Sequence, residues 1–480
     1  MVQLSPAANA AADRAARYAG GIALATACGY GLYSIPGLLA RWGGVTPQGV
    51  GILAVWAGLA ALAPVAARRR PGAWLIALLA MAAIGARILV ILPYLDRAMD
   101  GDAAMYPMIA QGLRRGAGLR IYEPYIGSTL YALYPPVYPL LLAGWSAIAG
   151  LSTVSLAAMN LVIDAATAAM IATFGARIGR PAAGRAAAWL YVVWPSVLLS
   201  SPLAQKEGLI ALLVVAVAIA WLDLRRTRDV RTIIAAGVLG GLLALTQPAL
   251  APLPGLMALV LFARQPERLM PCALPVMLVT GAVLLPWWVR NWLVLGAFVP
   301  LTSAGPVSLW IGNNPAATGK WMPTPVALRG LPELEYGRAI GALARSWIMA
   351  HPAGFARLTV AKFVNAVGIG TAEIARLAET RPAPPAAITS ALFPMAQAAQ
   401  LLLLAASAAI LLRWRRWRLP DALGALLLAG GAQIVLFNLW FEFGERHRDF
   451  MIPLLLLLIA AAAGRQDETA PGRHGSIPGA

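Results

Sequence analysis

The first side chains with the means to do chemistry are the acids of a short polar run, Asp100-Gly101-Asp102, which lies between apolar segments. Apolar residues follow at helical spacing from Met105 to Leu113, and Gly116 can end that helix. Asp102 can cap the helix by accepting the amide of Met105, or it can act as a general base. Both roles stay open, because a capping carboxylate can also accept a proton.

Lys206 and Glu207 stand side by side at a junction between two apolar runs. Two charges at such a junction can simply mark the water boundary, with the lysine stem in the apolar layer and its ammonium group in water. However, the junction falls on the same predicted face as Asp102. Glu207 is therefore a candidate for the second acid of a site.

Two groups with positive charge fall on that face as well. Arg290-Asn291 closes an apolar run whose tryptophans are typical of an interfacial aromatic belt. The run Glu445-Arg446-His447-Arg448 occupies a short loop between two very apolar segments. Positive charge on the outer face opposes the usual orientation rule, so these residues either pair with one another or bind an anion. Arginine is the side chain best suited to bind a phosphate.

The composition indicates a membrane protein. Of 480 residues, 60% are hydrophobic and 12% are charged, whereas soluble domains have roughly 25% charged residues. The formal net charge is +18, but the arginines stand in short clusters between apolar runs, which indicates topology rather than nucleic-acid binding. Cys28 and Cys272 lie in separate apolar runs without metal-ligand spacing, so both are predicted to be packing residues.

The apolar runs predict an all-α polytopic bundle of about twelve transmembrane helices, with the first run retained as an anchor. The runs lie at residues 18–40, 47–67, 73–94, 153–175, 186–203, 206–223, 232–247, 249–264, 271–291, 391–412, 421–441 and 450–463. The arginine clusters lie at 68–70, 177–185, 225–231, 264–268 and 413–418. With the N-terminus inside, this arrangement makes every cluster cytoplasmic.

The apolar stretch from Pro135 to Gly150 complicates the count, because a crossing there would invert the topology of everything after it. We predict a short helix that dips into the membrane without crossing, since about 16 residues are marginal for a span. A true crossing, with another span miscounted, is the alternative. The long outer segments are then 95–135 and 294–390, and helical spacing at 333–349 and 352–367 predicts that the second folds against the membrane face.

Taken together, these motifs resemble the GT-C glycosyltransferases, in particular the family 39-like group of protein O-mannosyltransferases and lipid A aminoarabinose transferases. The resemblance covers roughly residues 72–463. It is carried by Asp102-Ala-Ala-Met-Tyr106 with Ala110 and Leu113, Tyr134-Pro-Pro-Val-Tyr-Pro-Leu-Leu-Leu142, Pro202 to Glu207, Pro286-Trp with Arg290-Asn291, Gly312-Asn-Asn-Pro315 with Gly319, and Glu445-Arg-His-Arg448 with Pro453. Two departures are the spans before Pro71, which look additional, and Ala103, which stands where many members carry a second acid.

The resemblance implies transfer of a sugar from a polyprenyl-phosphate donor to a lipid, glycan or protein acceptor at the periplasmic or outer face of a bacterial inner membrane, with inversion at the anomeric carbon. Asp102 would be the general base, and Glu207 would orient the acceptor or a cation. Arg290, Arg446 and Lys206 would stabilise the leaving phosphate. The remaining residues that the resemblance assigns to substrate binding are Tyr106, Tyr134, Asn291, Glu445, His447 and Arg448. The resemblance assigns no definite cofactor, and a divalent metal stays an open alternative.

The resulting domain organisation has five parts. They are an N-terminal accessory transmembrane hairpin (1–71), a catalytic core (72–293) that includes the first outer loop, a helical outer segment (294–390), C-terminal spans (391–463) and a disordered cytoplasmic tail (464–480). Two other functions stay open. One is a polymerase or ligase that uses a lipid carrier, and the other is a secondary transporter of an anionic solute, which would place charged residues near mid-span.

The topology leads to a direct prediction, that residues 294–390 are outside the cytoplasm. Cysteines introduced at Ala317 and Glu335 should react with a membrane-impermeant thiol reagent in intact spheroplasts. Labelling that appears only after lysis would invert the topology.

Overall fold

The computed structural model describes residues 6–68, 72–413 and 420–464, with side chains from residue 11 onward apart from that of Asp102. The predicted arginine clusters at 68–70 and 413–418 lie largely outside these residues, and the predicted tail lies outside them after Gly464. The described chain is helical apart from one two-stranded hairpin. The all-α, multi-pass fold class is thereby confirmed.

The helices are α1 (Pro6–Tyr33), α2 (Ile35–Trp42), α3 (Pro47–Ala60), α4 (Ala63–Ala66), α5 (Ala73–Ile91), α6 (Asp102–Arg114), α7 (Val137–Ala149), α8 (Thr153–Arg177), α9 (Pro181–Val192), α10 (Pro195–Leu199), α11 (Glu207–Thr227), α12 (Val230–Ala244), α13 (Leu253–Leu261), α14 (Leu269–Leu295), α15 (Ala304–Gly312), α16 (Glu333–Ala350), α17 (Pro352–Gly368), α18 (Ala372–Ala378), α19 (Ala386–Leu412), α20 (Asp421–Gln433) and α21 (Ile452–Ala463). The strands are β1 (Ile121–Glu123) and β2 (Ser128–Leu130), which pair antiparallel. Short 3-10 turns occur at Leu92–Tyr94, Pro248–Leu250, Pro266–Arg268, Val326–Leu328 and Glu445–Met451, and a π-helical turn at Ile434–Asn438.

Seven of the described helices are long and apolar enough to cross a membrane, or up to nine if each of two bent helix pairs is one span. Every predicted span falls on helix, but the spans expected at 186–203, 232–247, 249–264 and 450–463 are helices too short to qualify by length. The expected number of about twelve therefore exceeds the number of full-length helices. Helix α7, with 13 residues, is likewise too short to qualify by length, and its predicted dip into the membrane without crossing stays a prediction.

Arginines of the described clusters at 177–185, 225–231 and 264–268 contact one another or the ends of neighbouring helices. Arg264 pairs with Asp13 at 3.3 Å and with Asp421 at 2.8 Å, and Arg226 donates to the carbonyl oxygen of Arg177 at 2.7 Å. Between α11 and α12, hydrogen bonds from Thr232 and Thr227 lower the pKa of Asp229 to about 2, so a carboxylate caps α12. We call the helix ends with these arginines the arginine end of the bundle, and the opposite end, which carries the first loop, the loop end.

The first loop is folded and is bound to the later outer segment. Tyr131 and Ala132 donate their amides to the Glu333 carboxylate, and Ala98 and Arg381 exchange backbone hydrogen bonds at 2.8 Å. The predicted helix after Asp102 is present as α6 and ends before Gly116. The helix begins at Asp102 itself, however, and Gly101 holds the N-cap position with φ of 58°. The expectation that Asp102 is the cap is thus corrected by one residue.

Helices α16 and α17 confirm the helical spacing read from the sequence, and the C-terminal half of α17 enters the bundle. It packs along α1, and its C-terminal end meets α18 at a bend of 79°. Added methyl groups at Gly368 and Gly370 would lie 2.5 Å from the Ala27 carbonyl and 2.7 Å from the Ala396 carbonyl. Ala396 is ten residues into α19, or about 15 Å at 1.5 Å per residue. Residues 366–373, here called the inserted tip, therefore lie deep within the bundle.

The N-terminal helices contribute directly to this arrangement. Helices α1 and α3 both pack along α19, and α1 also packs along α17. Contact between α1 and α17 is close because Gly31 and Gly368 have no side chains. The helices predicted to form an accessory hairpin thus pack against the C-terminal half of the chain.

This close contact predicts the effect of a single methyl group. Gly31→Ala should destabilise the protein by about 1–3 kcal/mol, because the new Cβ would overlap the carbonyl oxygen of Gly368. Gly29→Ala is the matched control, since an added Cβ there meets no atom within 4 Å and alanine favours a helix by up to about 1 kcal/mol. Thermal unfolding in detergent measures both. Equal stability of the two variants would contradict the packing described here.

Candidate functional site

A polar region lies inside the bundle below the loop end. The Thr153 hydroxyl donates to the Tyr94 carbonyl at 3.2 Å, which places the loop-end termini of α8 and of the 73–94 span side by side. Asp164 is eleven residues further along α8, or about 16 Å. A methyl group on Gly208 would lie 3.3 Å from the Asp164 carboxylate, so the start of α11 is at that depth.

The junction before α11 therefore lies among helices: residues 201–205 are buried, and Lys206 and Glu207 are partly buried. The Asn160 side-chain amide donates to the carbonyls of Ser200, Ser201 and Leu203 at 2.9–3.2 Å. Those bonds satisfy carbonyl groups that the break between α10 and α11 leaves without helical partners. Because the break is held in this way, α11 begins inside the bundle and its first residue faces a cavity.

One cavity, here called the acid pocket, is lined by the carboxylates of Asp164, Glu207 and Asp449. The other lining residues are Asn160, Tyr191, Ser196, Val197, Ser200, Gln205, Gly208, Ala211 and Ile452. Its ionisable lining is acidic apart from a tyrosine. Three buried polar atoms of these lining side chains have no hydrogen-bond partner in the described structure. They are Glu207 Oε2, Asp449 Oδ1 and Gln205 Nε2.

The second cavity, here called the basic pocket, shares Glu207 with the first. Its other lining residues are Ile210, Gln247, Leu250, Arg446, His447 and Phe450. The Nε atom of Arg446 is 3.7 Å from Glu207 Oε1. One carboxylate thus separates an acidic cavity from a cavity that contains an arginine and a histidine.

The charged segment 445–449 is bound to the inserted tip. Glu445 accepts hydrogen bonds from the amide and hydroxyl of Thr371 at 3.0 and 3.4 Å, and Arg448 donates to the carbonyls of Ala366 and Ile369. Within the segment, His447 Nδ1 accepts the Gly444 amide at 3.0 Å. The structure therefore gives Glu445 and Arg448 contacts with backbone, whereas Arg446 and His447 line a cavity.

An aromatic cluster joins the first loop to the start of α11. Lys206 Nζ lies 5.7 Å above the Tyr106 ring, and that ring makes edge contacts with Tyr134 at 5.3 Å and Tyr138 at 5.0 Å. Tyr134 also donates to Glu123 Oε2 at 3.5 Å. Helix α6 is thereby held beside Lys206 and Glu207. The side chain of Asp102 lies outside the described structure, so its role remains a prediction.

Arg290 and Asn291 lie elsewhere, at the end of α14. Arg290 donates to the Tyr131 carbonyl at 2.7 Å and to the Leu119 carbonyl at 2.6 Å, and its guanidinium lies 4.9 Å above the Trp287 ring. Asn291 is fully buried and donates to the Val299 carbonyl at 2.9 Å. Neither residue lines the two cavities, and their contacts hold the first loop and the segment after α14.

Several polar residues of the site have only a weak signal in the sequence. Arg87 and Asp164 form a buried ion pair at 2.8 Å, and Arg87 also donates to the Ser201 hydroxyl at 2.8 Å. In the sequence, each of the two is a single charged residue within an apolar run, and this isolation is the feature that indicates a special role. Lys362 is fully buried and donates to Asn313 Oδ1 at 3.1 Å, within the Gly312 to Pro315 motif.

The described residues also bear on metal binding. Among residues 6–68, 72–413 and 420–464, no group of three or more histidine, cysteine or acidic side chains has an arrangement that could hold a metal ion. The side chain of Asp102 is not among the described ones. A divalent metal therefore stays an open alternative.

Known proteins resemble this chain in structure rather than in sequence. No protein-family model matches it, and no curated protein matches it. Among solved structures it is similar to the crystal structure of the Archaeoglobus fulgidus oligosaccharyltransferase, which is tethered by a disulfide bond to an acceptor peptide containing the NVT sequon. The TM-score is 0.44 and the identity 15%; the match covers 80% of this chain and 49%, or about half, of the other.

Proposed function

We propose that this protein transfers a sugar from a polyprenyl-phosphate donor to an acceptor at the loop end of the bundle. The observation that carries the proposal is the pair of polar cavities on either side of Glu207, well below the helix ends. A charged or polar group is expensive in a membrane interior, so such a cavity is retained for a function. A lipid-linked substrate fits such a cavity, because it can enter from the bilayer and it carries a polar head group.

The basic pocket is the proposed site of the phosphate. Arg446 can donate two parallel hydrogen bonds to phosphate oxygens, and His447 lines the same cavity. Lys206, beside Tyr106, adds a second positive charge near the start of α11. We assign Arg290 a positioning role instead of phosphate binding, because its guanidinium is bonded to carbonyls of the first loop.

The proposed reaction is a single displacement. The bond between the anomeric carbon and the phosphate oxygen breaks, and its electron pair stays on the polyprenyl phosphate. The acceptor oxygen or nitrogen forms the new bond from the opposite side, so the configuration inverts, and its proton passes to Asp102. Arg446 stabilises the charge that develops on the leaving phosphate, and Glu207 orients the acceptor.

The secondary transporter remains a second candidate because one observation favours it. A transporter would place charged residues near mid-span, and Arg87 and Asp164 lie there. These two side chains are paired with each other, however, which is also what a stable buried pair requires. A lipid-carrier polymerase or ligase differs only in the acceptor and shares the chemistry proposed here.

The phosphate assignment predicts the behaviour of Arg446 variants. Arg446→Ala should lower turnover by about one to two orders of magnitude, because a hydrogen bond from a charged group is worth roughly 1.5–3 kcal/mol. Arg446→Lys should recover part of the activity, since lysine keeps the charge but cannot bind two oxygens at once. Transfer from a short-chain polyprenyl-phosphate sugar by purified variants is the measurement.

Arg338→Ala is the matched control, because Arg338 is exposed on α16 and bonds to its own helix. It should leave turnover unchanged. Normal turnover in Arg446→Ala would remove Arg446 from the proposed mechanism.

Asp102 gives the sharpest test of the proposed chemistry. Asparagine in place of Asp102 keeps the shape but cannot accept a proton, and loss of a general base typically costs about two to four orders of magnitude in rate. The expected effect on stability is small, because a carboxylate in the first helical turn contributes only about 0.3–1 kcal/mol. Asp102→Glu should be intermediate. Sugar transfer and thermal unfolding are measured on the same preparations.

Asp100→Asn is the control for this experiment. It removes an equal charge two residues away, where Asp100 forms an exposed ion pair with Arg381 at 3.0 Å, and transfer should change little. If Asp102→Asn retains near-normal transfer, or loses it only by unfolding, then another group must accept the proton.

A further inference from the structure

We propose that the acid pocket holds the sugar ring of the donor and admits only sugars without negative charge. This inference rests on the proposed function and deepens it by naming the substrate class. It follows from three properties of the pocket: its unpartnered buried atoms, the chemistry of its lining and its position beside the basic pocket.

Two side chains that face the pocket are almost fully buried yet incompletely bonded. Gln205 is 6% exposed and Asp449 is 8% exposed. Gln205 Nε2, Asp449 Oδ1 and Glu207 Oε2 have no hydrogen-bond partner in the described structure, although Arg448 Nε forms an ion pair with Asp449 Oδ1 at 3.7 Å. A buried polar atom left unbonded costs about 1–3 kcal/mol, so such atoms in a native protein require an explanation. A bound polar ligand supplies the missing partners.

The lining determines what kind of ligand fits. Ionised carboxylates only accept hydrogen bonds, whereas the Gln205 amide also donates. Hydroxyl groups both donate and accept, and they therefore satisfy all three unpartnered atoms. A ligand carboxylate or phosphate offers acceptors alone, so it cannot bond to Glu207 or Asp449 in their ionised forms and is repelled by both. An apolar ligand leaves the three atoms unsatisfied.

The position of the pocket connects it to the donor. Glu207 lines both cavities, so a group in the acid pocket and a phosphate in the basic pocket are separated by one side chain. A glycosyl phosphate has its sugar directly attached to the phosphate, which matches this adjacency. The shape of the acid pocket is fixed by Arg87, which pairs with Asp164, and by Arg448, whose Nε is 3.7 Å from Asp449 Oδ1.

The experiment measures equilibrium binding to the full-length protein in detergent without acceptor. The probes are a short-chain polyprenyl phosphate alone and the same lipid carrying glucose, mannose or galactose, each paired with its uronic acid. At least one neutral sugar should bind about tenfold more tightly than the bare lipid phosphate. Every uronic acid should bind more weakly than the bare lipid phosphate.

Variants of Asp449 and Gln205 test whether the preference for neutral sugars over uronic acids arises in this pocket. Asp449→Asn should narrow the preference for the neutral sugar over its uronic acid by about tenfold, whereas Asp96→Asn, at an exposed position in the first loop, should leave it unchanged. Gln205→Leu should weaken binding of the neutral sugar without lowering the unfolding temperature, because the amide it removes is unsatisfied in the unliganded protein. If Gln205 had only a structural role, Gln205→Leu would lower the unfolding temperature and leave binding of the neutral sugar unchanged.

The outcomes separate this inference from the function on which it depends. If the bare lipid phosphate does not bind, the proposed function fails. If it binds but no neutral sugar improves on it, the pocket holds water alone and the inference is overturned. Equal binding of neutral sugars and uronic acids, or discrimination that persists in Asp449→Asn, also overturns it.

Discussion

The bonds between Arg448 and the carbonyls of Ala366 and Ile369 support the rest of the site. Those carbonyls lie at the end of α17, where helical hydrogen bonding stops and the last carbonyls need other donors. A guanidinium supplies several donors and carries a charge that suits a helix C-terminus. Through this one side chain the inserted tip is joined to the segment 445–449. Because that segment lines both cavities, their shapes depend on the tip.

A second buried charge holds the opposite wall. Arg87 on α5 connects Asp164 on α8 with Ser201 in the break before α11. Removing one member of such a pair leaves the other charge without a partner in the interior, which costs about 3–5 kcal/mol. The pair is therefore maintained as a unit. It fixes the start of α11, and with it Glu207, relative to two membrane-spanning helices.

The sequence predicted the parts of the fold that depend on local pattern. Helices at every predicted span, the helix after Asp102 and the helices α16 and α17 all follow from apolar spacing. The inserted tip could not be predicted in this way, because α17 reads as an amphipathic surface helix until its contacts with α1 and α19 are known. The partners of Arg87 and Arg448 were equally inaccessible, since each contact joins residues about 80 positions apart. Arg290 is a similar case. Arginine is a residue type suited to phosphate binding, whereas in the structure Arg290 donates hydrogen bonds to carbonyls of the first loop, which is far away in sequence.

The order of these elements along the chain bears on how the protein is made. The inserted tip is held by α1 near the beginning of the chain, and by α19 and the segment 445–449 near the end of the described region. During synthesis the earlier helices therefore enter the bilayer before the partners of the tip exist. The carbonyls of Ala366 and Ile369 therefore lack their donor, the Arg448 guanidinium, until the segment 445–449 has been made. Closure of the polar interior is accordingly a late event of biogenesis, completed only after the 445–449 segment has been inserted.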